Sequence, residues 1–200
     1  GGNIGTPLFD RIPDIRPDDF AVLELSSFQL HSMHCAPDVA IITNISPNHL
    51  DVHPDFEDYV SAKCSIYRGQ RPDGVLVLNA RDAHTPRFAA EAPGSVRYFS
   101  SIGPVENGVY CADGVIYRAH GGKAEKLIDV SDIRIPGAHN VENYMAAFAA
   151  TDGLVGQAAC VQVARSFAGV PHRMERIREL NGITFINDSI ASSPTRTIAG

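Results

Sequence analysis

The sequence predicts an α/β fold, a mostly parallel sheet flanked by helices with a small antiparallel β subsheet, and three observations carry that expectation. In the first half, strand-sized apolar runs alternate with amphipathic stretches, the pattern of βα units. From about residue 96 to 135 the texture changes to short β-prone pieces separated by glycines. Helical texture then returns, before Pro171 interrupts it and a final strand-like run follows.

In order, the strand candidates of the first half are Ala21 to Leu25, Val39 to Asn44 and Val75 to Asn79. Phe56, Tyr59, Val60, Ile66 and Tyr67 recur at helical spacing and predict a helix between the second and third strands, with Asp55 as its N-cap. Asp113-Gly114 between two β-prone runs predicts a hairpin, because both central positions of a tight two-residue turn need positive φ. Helices are expected over Asn140 to Ala150 and Ala158 to Ala168, and a strand over Gly182 to Asn187. Ser193-Pro194 reads as the start of a further helix, with proline in its first turn. The change near residues 169–173 marks the expected domain boundary.

With 200 residues, 44% of them hydrophobic, the chain can bury a sizeable core in one large or two small domains. Its formal net charge of −6, without a Lys/Arg-rich run, argues against nucleic acid or an anionic membrane as partner and favours small molecules. Apolar runs are far shorter than the roughly 20 residues of a spanning helix. The four cysteines, Cys35, Cys64, Cys111 and Cys160, are scattered and form no C-x-x-C pair, so a reducing, cytoplasmic setting is expected. The chain opens on Gly1-Gly2-Asn3 and stops at Gly200 inside a helical pattern, so a piece of a longer protein is expected.

Several polar clusters follow strands, where open α/β sheets bind ligands. Glu24, followed by Ser26 and Ser27, suits a hard divalent cation holding phosphates; the plainer reading makes the serines helix caps and Glu24 a solvated strand end. His49 follows the next strand, and Glu24 with His49 at one sheet edge would converge on a site. His49 and His53, four apart, also read as a zinc pair, but the intervening residues lack the Glu of H-E-x-x-H, so phosphate-site magnesium ranks higher. Lys63 lies among apolar neighbours on the expected helix. Most such lysines reach out to water, whereas a buried one loses charge and becomes a nucleophilic amine able to accept carbon dioxide as a carbamate. Asn140 and Asn143 share a helix face where amides can read a base or a phosphate, or simply cap the helix. Asp188, after the last strand, caps the next helix or positions a substrate.

In this order, Gly1-Gly2-Asn3-Ile4-Gly5, Glu24-Leu25-Ser26-Ser27-Phe28-Gln29-Leu30, Asn44-Ile45-Ser46-Pro47-Asn48-His49-Leu50-Asp51, Ala62-Lys63, Gly137-Ala138-His139-Asn140-Val141-Glu142-Asn143 and His172-Arg173-Met174-Glu175 resemble the Mur ligase family. The resemblance spans essentially the whole chain, and its first two strings point to the branch that uses D-glutamate. It implies ATP-dependent amide-bond synthesis in cytoplasmic peptidoglycan precursor formation. The carboxylate of UDP-N-acetylmuramoyl-L-alanine is phosphorylated, and the amine of D-glutamate displaces the phosphate.

By position, the resemblance makes Glu24 and His49 magnesium ligands and Lys63 a carbamylated lysine on a second magnesium. Asn3, Ser26 and Gln29 fall on the UDP-muramoyl side, Asn140 and Asn143 on the adenine side, Arg173 near ATP and Asp188 at the ribose. Residues 1–173 are then the central ATP-binding domain and 174–200 the linker and first strand and helix start of a C-terminal Rossmann-like domain. The family's G-T-N-G-K-T phosphate loop is expected upstream, the piece alone is expected to be inactive, and the full-length protein is expected to be a monomer. Where many members read D-S-K-A-T, this chain has Asp188-Ser189-Ile190-Ala191-Ser192. Ile190 replaces a lysine credited with the D-glutamate carboxylate, leaving Ser192, Ser193 or Arg196 as substitutes. Another amino-acid ligase of the Mur or folylpolyglutamate-synthase type and a non-catalytic nucleotide-sugar module are the alternatives.

Overall fold

The computed structural model describes residues 1–3, 5, 7–46 and 53–191. Its elements, in chain order, are α1 (Ser27–Ser32), β1 (Val39–Ile42), α2 (Phe56–Arg68), β2 (Val75–Asn79), α3 (Thr85–Glu91), β3 (Ser95–Ser100), β4 (Gly108–Ala112), β5 (Val115–His120), β6 (Lys123–Asp129), α4 (Ala138–Thr151), α5 (Gln157–Ser166), β7 (Glu175–Leu180) and β8 (Ile183–Asn187). Two short 3-10 turns, Phe9–Asp14 and Val130–Asp132, complete them. β1 to β6 form one sheet in chain order, and β7 pairs with β8 separately. The large sheet is mixed: β3 and β4 run parallel, while β4–β5 and β5–β6 are antiparallel. This is the expected architecture, except that the antiparallel strands continue the main sheet instead of standing apart from it. No described helix is long and apolar enough to cross a membrane.

The chain divides into two compact units, Gly1–Leu76 with Ala83–Val96, and Val77–Asp82 with Arg97–Gly200. In the first, Asp55 caps α2 as expected, its carboxylate accepting the Asp58 backbone N–H at 2.8 Å. Val60, Cys64 and Tyr67, spaced i, i+4, i+7, are each 0% exposed and form the buried stripe of α2. Ser26 caps α1 with a full capping box: its hydroxyl accepts from the Gln29 N–H, and the Gln29 Oε1 accepts from the Ser26 N–H at 2.9 Å.

In the second unit, Asp113 and Gly114 both take positive φ, 50° and 74°, and close the expected β4–β5 hairpin. The buried face of α4, with Tyr144, Met145, Phe148 and Ala149, packs on β4. Arg97 of β3 donates to the carbonyls of Ala149 and Asp152 at the C-terminal end of α4.

Three elements differ from expectation. Ala21 to Leu25 contributes only an isolated parallel bridge between Gly2 and Glu24. Its backbone has Gly1 to Asn3 alongside and Val22 is 79% exposed, so the run is β-prone in composition without a sheet to bury it. β7 was not anticipated, because its sequence, ERIREL, is mostly charged. Neither was α3, which is short and buries only Thr85 and Phe88. The helix expected from Ser193-Pro194 lies outside the described residues.

Candidate functional site

Glu24 is held through its backbone. Its N–H donates to the Gly1 carbonyl at 3.1 Å and its carbonyl accepts from the Asn3 N–H at 2.7 Å. Gly2 has φ +89°, and a Cβ there would lie 2.2 Å from the Glu24 carbonyl oxygen, so this close approach requires glycine. Thus Asn3 is tied to Glu24 by its backbone, and the Glu24 side chain is exposed. Two residues on, Ser26 and the carbonyl of Gln29 are engaged in the α1 cap.

Lys63 lies in the same unit, two turns into α2, and is half-buried. Its Nζ stands 5.7 Å from the centre of the Tyr59 ring, one turn earlier. Burial pushes its pKa down, and the negative charge of Glu24 partly opposes that. The structure therefore brings Glu24 within electrostatic reach of Lys63, whose burial disfavours its charged form. His49, the third member of the expected metal set, lies outside the described residues.

A second cluster in this unit escaped the sequence reading. His53, 5% exposed, places Nε2 at 2.9 Å from the Ser27 hydroxyl and Nδ1 at 2.7 Å from the Asp58 carboxylate. His31 of α1 approaches the same carboxylate, Nε2 to Oδ1, at 3.3 Å. The His53 contact is the main cause holding Asp58 below the usual carboxylate range. A Ser-His-Asp chain has the order of a hydrolase triad, but Ser27 is 2% exposed at the start of a helix and cannot reach a substrate. Sequence spacing carries no signal for this cluster: Asp58 lies three residues after the α2 cap, and only the packing of α2 on α1 brings it to Ser27 and His31, the first and fifth residues of that helix.

In the second unit, Asn140 and Asn143 occupy the first turns of α4, whose N-cap is Gly137. The Asn140 side-chain amide donates to the Pro136 carbonyl at 2.6 Å, so part of its donor capacity closes the turn. Asn143 is exposed. Glu142, not singled out from sequence, accepts from the Ser101 hydroxyl at 2.6 Å and from Arg81 at 3.3 Å, fixing the start of α4. Among the described residues, the Tyr144 hydroxyl is buried without a hydrogen-bond partner.

Arg173 is exposed just before β7. Asp188, just after β8, accepts the Met174 N–H at 3.1 Å, so its carboxylate closes the base of the β7–β8 hairpin. Ile190 is 51% exposed, and Ser192 lies outside the described residues.

The model of the Mur ligase middle domain matches residues 4–151. The chain is 52% identical over 200 residues to a UDP-N-acetylmuramoylalanine–D-glutamate ligase of Acetivibrio thermocellus, covering all of this chain and 43% of that relative. Among solved structures it resembles MurF from Acinetobacter baumannii, with a TM-score of 0.64 at 23% identity over 86% of this chain and 38% of that one. It also resembles MurF from Thermotoga maritima in complex with ADP, with a TM-score of 0.55 at 20% identity, covering 82% and 38%. The chain thus spans less than half the length of these proteins, and the family match coincides with the segment that carries Glu24, Lys63, Asn140 and Asn143: the chain belongs to the Mur ligase middle-domain family.

Proposed function

We propose that this chain is the central part of an enzyme that uses ATP to join D-glutamate to UDP-N-acetylmuramoyl-L-alanine through an acyl phosphate. The observation that carries the reading is the half-buried, pKa-depressed Lys63 within reach of the Glu24 charge, in a chain 52% identical throughout to a relative named for that reaction. Residues 1–173 are read as the central domain and 174–200 as the start of the next, with the phosphate loop supplied from outside this segment.

The donor set fits magnesium. An exposed carboxylate at Glu24 and a carbamate on Lys63 would present hard oxygens, with the His49 imidazole as a third ligand. Bound there, the cation would neutralise phosphate charge during transfer to the muramoyl carboxylate. Lys63 forms the carbamate by attack of its neutral Nζ on carbon dioxide, a proton leaving the nitrogen as the C–N bond forms. Its half-burial favours that neutral form, and α2, capped by Asp55, holds it in place. Asn3, Ser26 and Gln29 are assigned to the UDP-muramoyl side. With the Gln29 carbonyl committed to the cap, its amide N–H groups are the ones left to donate to that substrate. Asn140 and Asn143 are assigned to adenine, Arg173 and Asp188 to phosphate and ribose, and Ser192 to the amino-acid substrate. We read the full-length protein as a cytoplasmic monomer.

The test is phosphate release by the full-length protein with ATP, UDP-N-acetylmuramoyl-L-alanine and D-glutamate. Lys63→Ala is expected to lose on the order of 100-fold or more in kcat, the scale of removing an electrostatic stabiliser, and to regain part of it with short carboxylic acids. Glu24→Gln is expected to shift the magnesium requirement more than substrate affinity. Turnover with a diamino acid or a glutamyl-folate in place of D-glutamate would refute the substrate assignment. Failure of rescue together with an unmodified Lys63 would refute the carbamate.

A further inference from the structure

We propose that His31, His53 and Asp58 form a binding site for a borderline divalent transition metal, zinc above all, which clamps α1 to α2. One ligand atom from each of the three lies within 4.8 Å of the others, and His31 Nε2 and His53 Nδ1 are the nitrogens that face the Asp58 carboxylate. A zinc ion with bonds of about 2.0–2.1 Å in tetrahedral geometry holds its ligand atoms about 3.3 Å apart. His31 already stands 3.3 Å from Asp58 and His53 2.7 Å, so modest side-chain rotation opens the space.

Two imidazoles and one carboxylate make a nitrogen-rich set that suits zinc, whereas magnesium demands an oxygen octahedron. The fourth tetrahedral position falls to water, because His31 is exposed and the cluster reaches solvent on that side.

The surroundings of His53 are those of a prepared ligand. Phe28 stacks on its ring at 5.6 Å and Tyr59 meets it edge-on at 5.4 Å, which fixes its plane. Ser27 holds the nitrogen remote from the cluster. Without metal, the ionised Asp58 only accepts, so Nδ1 carries the proton and Nε2 accepts from the Ser27 hydroxyl. With metal on Nδ1, that proton leaves to solvent, Nε2 takes one up, and Nε2–H donates to Ser27 Oγ after the hydroxyl rotates. The serine serves both tautomers, as outer-shell partners of metal-bound histidines do. The ligand partners of His53 in this site, His31 and Asp58, lie on α1 and α2.

The experiment titrates Zn2+ into metal-free full-length protein in excess Mg2+, with a chromogenic chelator as competitor and Co2+ absorption as a report of tetrahedral coordination. One zinc is expected, with a rise in thermal stability on binding. His31→Ala, at an exposed position, and Asp58→Asn are each expected to weaken binding by roughly 10- to 100-fold or more, the range seen even for outer-shell losses. His34→Ala, at an exposed histidine outside the cluster, and Glu24→Gln are expected to leave it unchanged. Absence of zinc binding by the wild-type protein, equal affinity in His31→Ala, or loss in Glu24→Gln would each overturn the proposal. The ligase reading is tested separately, by the phosphate-release assay.

Discussion

Tyr67 anchors the helix that carries Lys63, and its removal should separate a buried hydrogen bond from a buried ring. The ring is 0% exposed and packs on Phe88 at 5.9 Å, and the hydroxyl donates to Glu91 Oε2 at 2.9 Å. Burial, reinforced by the Cys64 and Glu91 contacts, pushes the Tyr67 hydroxyl pKa up, so it remains a donor throughout the accessible range. Tyr67→Phe keeps the ring and deletes one bond to a charged acceptor, worth about 1.5–3 kcal/mol when fully buried. Glu91 is 35% exposed in its side chain and keeps Arg87 at 2.9 Å, so water and arginine absorb part of the loss. The expected cost is about 1 kcal/mol, or about fivefold faster hydrogen exchange of α2 amides in the full-length protein. Glu91→Leu leaves the buried Tyr67 hydroxyl with only the weakly accepting Cys64 thiol, and should cost about 2–3 kcal/mol.

The pH dependence has a definite sign. The Arg87 hydrogen bond is the main cause lowering the Glu91 pKa, so its contribution is complete above the unfolded value of about 4.3 and disappears as pH falls through the lower folded value. The cost of Tyr67→Phe should therefore be constant from neutral pH down to about 5 and shrink in the acid range. Exchange that accelerates as much in Tyr67→Phe as in Glu91→Leu, or a cost that does not change with acid, would refute this reasoning.

Asp55→Ala removes the α2 N-cap and should cost about 1 kcal/mol, read as faster exchange at the first turn of α2 with little effect at its C-terminal end. Gly108 has φ +131° and its Cβ would lie 1.9 Å from the Tyr98 carbonyl oxygen, opposite it in the parallel β3–β4 pair. Gly108→Ala should therefore disrupt that register, measured as loss of amide protection in β3 and β4 and of soluble protein at 37 °C, whereas Gly156→Ala, with open space around its Cβ and φ −72°, should leave both unchanged.

How much was legible follows from which signals are local. The α2 pattern, its Asp55 cap, the Ser26 cap and the Asp113-Gly114 turn are set by neighbours within four residues, and all appear as expected. Asn181-Gly182 carries the same turn chemistry, with φ 51° and 78°, and would have disclosed the β7–β8 hairpin had the charged composition of Glu175–Leu180 not obscured the strand. Ala21 to Leu25 shows the opposite error, since an apolar run states a preference for a sheet and cannot supply the neighbouring strand.

The site divides along the same line. For Lys63 the local sequence favours a lysine that reaches out to water, and its role comes from the family resemblance; its half-burial sets the direction of its pKa. The His31, His53 and Asp58 cluster could not be read in advance, because its members are 22 and 5 residues apart and only the packing of α1 on α2 brings them together. Tyr59 links the two groups: one ring meets His53 edge-on at 5.4 Å, and its centre lies 5.7 Å from Lys63 Nζ. Any ion that fixes His53 through Nδ1 also fixes the ring against which Lys63 rests. Zinc binding and the ionisation of Lys63 should therefore be measured together, and Tyr59→Leu is the substitution that would uncouple them while keeping an apolar side chain in the core.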